Sequence, residues 1–531
     1  MGSRRAPALL VALSATLMLL GIPAGSSPAT TGSSGGTLRV IDPMDIVSLD
    51  PALNMGDFAW ALEDGTCATL MIFRDEPAPG GDTVQPEAAA GPPEVSSDGR
   101  TYVFTVRRGL RFSDGSPLTA RNFKRALGRV LDPAMRSPGA YLFSDVKRVS
   151  ASGLRLRITL SKPSGDLTTR LALPLACPVP LGFPVDPAGV PLVGVGSGPY
   201  YVASHVADSL LVVKRNRYYR GSRPHQVDGL TVTVGGDVDS DVRAVEDGQA
   251  DMLMGPIPSA LRPVLAARYG VDKSQFFRIP GRAGTGALVL NTSRPLFRDN
   301  AALRKAVNFA LDRAEIVRQT PSGLLSNTPT DQILPRWIPG WKNYRLYPLT
   351  GPDLLQARQL AQGNLRGGKA VLYTTPEWVD VAPVIVSNLL AIGLDVQVKV
   401  MSPSVLNAKA GIPGEPYDMI LGDQLLDYPD PANMITRYLG GENARRPAGN
   451  TNFAYFDEPA YNQRIAAADR LTGTARFQAF SQLDADIMRN EAPWAPLFEE
   501  SKWLFISNRI GCLQLHPVFR FDLATICLRS G

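Results

Sequence analysis

The chain has 531 residues, of which 44% are apolar and 20% charged, with 45 prolines and 49 glycines spread along it. That length exceeds what one hydrophobic core fills, so two or more domains are expected, and the composition excludes a disordered polymer. A formal charge of +6, from 55 basic and 49 acidic residues, is diluted over a large surface; the basic run at 215–225 reads as solvated surface, and no nucleic-acid partner is expected.

The chain opens with Arg4 and Arg5, an apolar stretch from Ala8 to Ile22 and a Ser/Gly/Thr-rich segment, the order of a signal peptide. The stretch is shorter than the roughly 20 residues of a spanning helix, and Ala24 and Ser26 offer a cleavage site; an uncleaved anchor is the alternative. Residues 1–36 therefore read as signal peptide and linker, and the protein is expected to be extracytoplasmic. Four cysteines in an exported chain favour two bridges out of three possible pairings. Spacing favours Cys512 with Cys527, leaving Cys67 with Cys177, and four buried thiols are the alternative. Three histidines and the lack of any Cys-x-x-Cys pair argue against zinc.

After the linker, TLRVID reads as a strand, followed by a loop through Asn54 and Met55 and a helix. Tyr102, Phe104 and Val106 alternate in a strand, the turn SDGSP follows, and Thr119 is placed to cap a helix carrying Phe123, Leu127 and Val130. LRLRITLSKP is strand-like. The two alternating runs around HVADS predict a hairpin, and DGLTVTVGGD to MLMG a strand–helix–strand step. From GALVLNTSRPLF a new domain is expected, with Asp299 as cap of a helix in which Leu303, Val307 and Leu311 recur. KAVLYTT, the helix ending at Gly393 and LDVQVKV form a parallel-sheet unit. YDMILGD adds a buried strand, and the tail after WLFISNRIGC returns to strand-like text, which would make the first domain discontinuous.

The stretch LLDYPDPANMI begins where the YDMILGD strand ends, and in open α/β sheets ligands collect beyond the carboxyl ends of strands. Asp427 there is suited to a cationic guest, because a desolvated ammonium needs a fixed carboxylate; capping of the next segment is the plainer role. Asp430, before Pro431, reads as a turn residue. An acid–base pair of Asp427 and Asp430 is disfavoured by two intervening and flanking prolines and by the scarcity of histidine, so the chain is not read as an enzyme.

Several segments in order resemble the large extracytoplasmic solute-binding proteins of ABC transporters, family 5, the oligopeptide and dipeptide binders. They are GGTLRV…SLDPAL, PEVSSDGRTYVFTVRRGLRFSDGSPLTARNFKRAL, GSGPYYV…LLVVKRNRYYRG, ALVLNTSRPLFRDNAALRKAVNFALDRAEIV and DYPDPANMI. The resemblance spans nearly all of the mature chain. It implies an α/β, two-lobed periplasmic-binding-protein-like fold of the large type II form. Lobe I would cover 37–285 plus 505–531, with an extra subdomain inserted at about 76–194, and lobe II would cover 286–504. It further implies an importer's solute-binding component, acting as a monomer without cofactor, that captures peptides between the lobes and delivers them to a membrane permease. A metal chelate, haem or oligosaccharide is the alternative solute.

In peptide-binding members the aspartate opening a motif like Asp-Tyr-x-x-Pro receives the ligand's α-ammonium, and Asp427 matches it. Tyr428 and Asn433 in the same motif, Asn54 and Met55 in the loop after the first strand, and Trp378 in lobe II complete the implied ligand-binding set. Trp378 is equally suited to core packing, and Asn291 to holding the hinge. Where oligopeptide binders often carry an arginine and a tryptophan before the aspartate, this chain has Leu421, Gln424, Leu425 and Leu426, so a carboxylate clamp is missing there and the cleft is expected to be more apolar.

Overall fold

The computed structural model describes Gly2 and residues 35–529 except 75, 77–79, 321–322 and 447–448; the expected signal segment lies outside the described residues. Its frame is one large mixed sheet. In spatial order the strands are Asp395–Val400, Lys369–Thr374, Met419–Gln424, Phe276–Leu290, Trp494–Ile506, Met252–Leu253, Thr37–Asp42, Gly229–Val234, Leu210–Arg215 and Tyr200–Val206. Two of these, Phe276–Leu290 and Trp494–Ile506, are long antiparallel partners that run through both halves of the sheet. The expected domain boundaries at 285/286 and 504/505 fall inside these strands.

Their register slips between Pro280 and Thr285. Beside the slip, a Cβ on Gly284 would stand 1.5 Å from the Gln424 carbonyl oxygen. Only glycine lets the backbone approach so closely.

The strand–helix–strand steps read from the sequence are present. Thr37–Asp42 is flanked in parallel by Gly229–Val234 and Met252–Leu253, and Lys369–Thr374 by Asp395–Val400 and Met419–Gln424. Buried parallel strands are expected to read as continuous apolar runs because helices cover both faces. Phe276–Leu290, antiparallel to both its neighbours, is apolar on both faces as well, with Ala287 and Val289 in one core and Leu288 and Leu290 in another. A separate four-stranded sheet holds Glu94–Val95, Thr101–Thr105, Arg155–Leu160 and Val146–Ser152. Helix Ala120–Leu131 belongs to this module, where Asn122 Oδ1 accepts from the Thr119 N–H at 2.9 Å. Phe123, Leu127 and Val130 enter the same core as Leu38 and Val40.

Three local expectations need correction. The helix cap is Asn300, whose side chain accepts from Leu303 N–H; Asp299 sits one residue earlier in a left-handed conformation. The helix expected to carry Leu303, Val307 and Leu311 spans Ala301–Ala310 and stops before Leu311; a second helix, Arg313–Gln319, follows because Asp312 caps it. The basic run at 215–225 is also not all solvated surface. Arg223 is buried, ion-paired with Glu87 and Asp64, and donates to the Cys67 carbonyl at 2.6 Å.

Both expected bridges are formed, Cys67–Cys177 and Cys512–Cys527. The tail rejoins the first core through Val518, Phe519 and Phe521. There the buried His516 accepts backbone N–H groups of Val518 and Phe519 on Nδ1, and burial pushes its pKa down to about 3. The ring is thus neutral when folded but titrates near 6.5 when unfolded. Between those values the unfolded chain binds the extra proton, so stability is full above about pH 6.5 and falls with pH towards 3. Carboxyls that burial raises, such as Asp484 at about 7, pull the other way, so the effect is read as a difference: between pH 7 and pH 5 in urea titrations the wild type should lose up to about 1.4 kcal/mol per pH unit relative to His516→Asn, and identical slopes would refute this assignment.

Candidate functional site

Asp427 lies three residues beyond the carboxyl end of Met419–Gln424 and is 4% exposed. Its backbone N–H donates to Asn433 Oδ1 at 2.8 Å, so the turn through Pro431 closes on itself. Among the described residues three side chains converge on its Oδ2: the Tyr141 hydroxyl at 2.6 Å, the Arg437 guanidinium, and the Asn433 amide at 3.4 Å. Arg437 is stacked between two rings, 4.6 Å from the Tyr141 centroid and 4.8 Å from that of Tyr438. Burial opposes its charge, but Tyr438, Asp427 and Tyr141 outweigh that and hold the guanidinium above the ordinary arginine value. Tyr141 comes from the module of the four-stranded sheet, 286 residues away in sequence, so Asp427 is touched from both sides of a seam.

The seam continues through Tyr428, whose hydroxyl donates to Asp166 at 2.7 Å. Asp166 ion-pairs with Arg170 at 3.1 Å and faces Arg476 at 3.6 Å, and Arg476 grips Asp430 at 2.9 Å. Burial alone would raise the Asp166 carboxyl, yet Arg170 and Arg476 pull it below the usual carboxylate range. Asp430 is the turn residue expected, accepting from Ala432 N–H at 2.9 Å, and it also anchors this ion-pair chain. Nearby, Gly165 N–H donates to the Asp469 carbonyl at 2.8 Å, and Lys162 pairs with Glu442. A cavity of about 150 Å³ opens along the seam, lined by Tyr141, Tyr428, Asn433 and Arg437 among others.

A larger cavity, about 590 Å³, lies between the loop after the first strand and residues 500–503 of the second crossing strand. Asn54 and Met55 line it. The Asn54 side chain is spent on the loop, donating to the Ser48 carbonyl and accepting from Gly56 N–H, so its contribution is to fix the wall. Met55 reaches towards Gly139, with Sδ 3.2 Å from where a Cβ there would stand. Gly139 precedes the turn Ala140–Phe143 that carries Tyr141, so the Asn54–Met55 loop and Asp427 adjoin one region. The loop is braced from below by Asp50, buried in a two-pronged contact with Arg129 at 2.6 and 2.9 Å.

The structure therefore brings together Asp427, Tyr428, Asn433 and, one cavity over, Asn54 and Met55. It does not bring Trp378 to them: that ring packs in a core, 5.5 Å from Phe498. Asn291 holds the end of a crossing strand by donating to the Tyr417 carbonyl. The apolar replacements before Asp427 serve mainly as core as well, since Leu421 and Leu426 are buried and only Leu425 is exposed, at 56%. Tyr141, Asp166, Arg437 and Arg476 escaped the sequence reading. Asp166 and Arg170 stand at i,i+4 spacing, a pattern that announces an ion pair but not its burial. Among the described residues no group of three His, Cys, Asp or Glu could hold a metal ion, and no helix is long and apolar enough to cross a membrane.

Comparison with known proteins agrees with this architecture. Residues 83–446 match the family model of the bacterial extracellular solute-binding proteins, family 5 Middle. The dipeptide-binding protein DppE of Bacillus subtilis (strain 168) is 23% identical over 540 residues, covering 94% of this chain and 93% of that protein. The glutathione-binding protein GsiB of Pectobacterium atrosepticum is 25% identical over 452 residues, 82% of this chain and 84% of that protein. Among solved structures, the clavulanic acid biosynthesis oligopeptide binding protein 2 superposes with a TM-score of 0.81 at 26% identity, covering 94% of this chain and 96% of that one. The DppA protein of Helicobacter pylori, in complex with the peptide STSA, gives 0.71 at 20% identity over 94% and 99%, which bears on the fold alone. A two-lobed sheet with shared crossing strands, and a family match over most of its length, place this chain among the family 5 extracellular solute-binding proteins.

Proposed function

We propose that the protein captures peptides between its lobes and delivers them to the permease of an ABC importer, without catalysing a reaction. It would act as a monomer, exported by its N-terminal signal segment. The observation that carries this reading is Asp427, a buried carboxylate at a strand's carboxyl end that Tyr141 contacts across the seam, so that occupancy and lobe closure meet at one residue. Closure of such a trap is a hinge motion whose equilibrium the guest biases by touching both lobes. The names of the relatives that bind dipeptide and glutathione support a peptide guest.

The guest's ammonium would exchange with Arg437 on Asp427. A charge-assisted hydrogen bond contributes about 1.5–3 kcal/mol, so N-acetylation of a tripeptide pool should weaken retention about 10- to 100-fold, and Asp427→Asn should cost the same for unblocked peptides. Native mass spectrometry of protein incubated with each pool reads both effects. Equal binding by Asp427→Asn sinks the ammonium role. A non-peptide solute is the second reading, favoured by Arg437 already standing on the carboxylate; co-purification of a solute without an amino terminus, with no peptide retained, would establish it.

A further inference from the structure

The 590 Å³ cavity beside the Asn54–Met55 loop holds a cation that, among the described residues, no carboxylate pairs with directly. Arg520, from the tail that rejoins the first lobe, reaches the cavity wall. Its guanidinium is held by two neutral backbone carbonyls, Met254 at 3.0 Å and Trp503 at 3.1 Å. Its Nε–H is buried and has no hydrogen-bond partner among the described residues. Among the described residues no acid forms an ion pair with it; Asp57 and Asp42 attract it only from a distance, and burial pushes its pKa below the ordinary arginine value. Arg520 is half-buried, arginine stays charged under such conditions, and a buried Nε–H without an acceptor is costly. The residue also sits at φ 68°, a left-handed conformation that a non-glycine residue adopts at a cost and that clusters at ligand sites.

The other charges on the wall are largely committed. Asp45 faces His205 at 3.0 Å, Glu500 pairs with Lys502 at 3.1 Å, and Arg262 donates to the Ile257 carbonyl at 2.8 Å. Neither Asp57 nor Arg262 is free. Asp42 remains, a carboxyl that burial raises to about 6 and that accepts from Met44 N–H. Meanwhile the segment before Asp427 carries Leu421, Gln424, Leu425 and Leu426 where the family resemblance implies an arginine and a tryptophan.

We propose that Arg520 is the carboxylate-recognising residue of this protein, receiving the carboxylate end of a guest lodged in the cavity beside the crossing strand. A planar guanidinium with spare N–H groups matches a carboxylate in a two-point contact, and Met55 and Met254 supply adaptable apolar walls for the rest of the guest. The recognition is one-sided: Arg520 selects for the acid and rejects the neutral amide, which leaves its N–H groups half satisfied. Placing a carboxylate here rests on the solute-binding reading above, but not on the guest being a peptide.

The test compares acids with their amides on the intact mature protein. The probes are a tripeptide pool with free or amidated carboxyl ends, and the pair hexanoate and hexanamide, each read by native mass spectrometry and thermal shift. The wild type should prefer an acid to its amide at least 10-fold in one class. Arg520→Gln should abolish that preference, whereas Arg520→Lys, which keeps the charge, should retain part of it; a circular dichroism spectrum matching the wild type certifies the fold of each. A preference confined to hexanoate would set aside the peptide reading while upholding Arg520. Equal retention of acids and amides in both classes by the wild type, which needs no variant to fold, overturns the assignment, as does an undiminished preference in Arg520→Gln.

Discussion

Arg476→Met is expected to destabilise the protein by about 3–5 kcal/mol, the range for breaking a buried ion pair by removing one partner. Arg476 is 1% exposed and stacks over Phe480. Its guanidinium grips both oxygens of Asp430, faces Asp166 and Asp469, and donates to the Ala468 and Asp469 carbonyls. Methionine fills much of the volume but leaves Asp430 without its cation, whereas Asp166 keeps Arg170. Chemical denaturation measures the loss. Asp166 belongs to the four-stranded module's side of the seam and Asp430 to the other, so a second effect follows. The lobes should separate more readily, and the radius of gyration from small-angle X-ray scattering should rise. The double variant Arg476→Met/Asp430→Ala should recover part of the loss, because the orphaned carboxylate goes with its partner. A single-variant loss below about 1 kcal/mol would place Arg476 with ordinary surface pairs and dismiss the seam network as a stabilising element.

How far the sequence announced this arrangement depends on the physics of each feature. Strands and helices with a buried face were legible because burial imposes a period: Phe123, Leu127 and Val130 repeat along a helix, and Tyr102 and Phe104 along a strand, and both patterns lie in the core. The position of Asp427 was legible because it follows from the end of a parallel strand. The two crossing strands were each seen only in part: the first was read from Gly286 and the second from Trp503, whereas both extend further towards their N-terminal ends, Phe276–Pro280 pairing with Ser501–Phe505. Asp299 outranked Asn300 as a cap because both residue types suit the position, and only the backbone decides between them.

The partners across the seam were illegible for a different reason. Arg437, Arg476 and Arg520 look in sequence like any exposed arginine. Their surroundings include carboxylates and carbonyls brought from far along the chain, as Arg476 with Asp166, 310 residues away, and Arg520 with the Met254 carbonyl, 266 residues away, illustrate. No local period encodes such meetings. The leucines before Asp427 mislead in the opposite sense, because an apolar residue beside a cleft motif is as suited to the core behind the strand as to the cleft in front of it, and Leu421 and Leu426 take the core.

Removing the Cys67–Cys177 bridge as Cys67→Ala/Cys177→Ala is expected to cost more than removing Cys512–Cys527 in the same way. The first bridge spans a sequence separation of 110, the second 15. Restricting the unfolded chain contributes about 4.7 kcal/mol for a loop near 100 residues and about 3 kcal/mol for one near 15. Guanidinium denaturation of the two variants side by side measures the order, and equal losses or the reverse order would show that native-state contacts and not chain restriction set the values. The longer bridge has a functional consequence that the shorter lacks. Cys67 ends the helix Asp57–Thr66, which begins directly after the Asn54–Met55 loop, and Cys177 follows the turn Pro174–Ala176. Arg223 fixes the Cys67 carbonyl from a third direction, so the helix end keeps one anchor without the bridge. The loop would then remain folded on Asp50 and Arg129 but lose one of its two fixed ends, and guest affinity should fall in the Cys67/Cys177 variant at temperatures where it is still fully folded. Unchanged affinity there would mean that the Asp50–Arg129 pair alone positions the cavity wall.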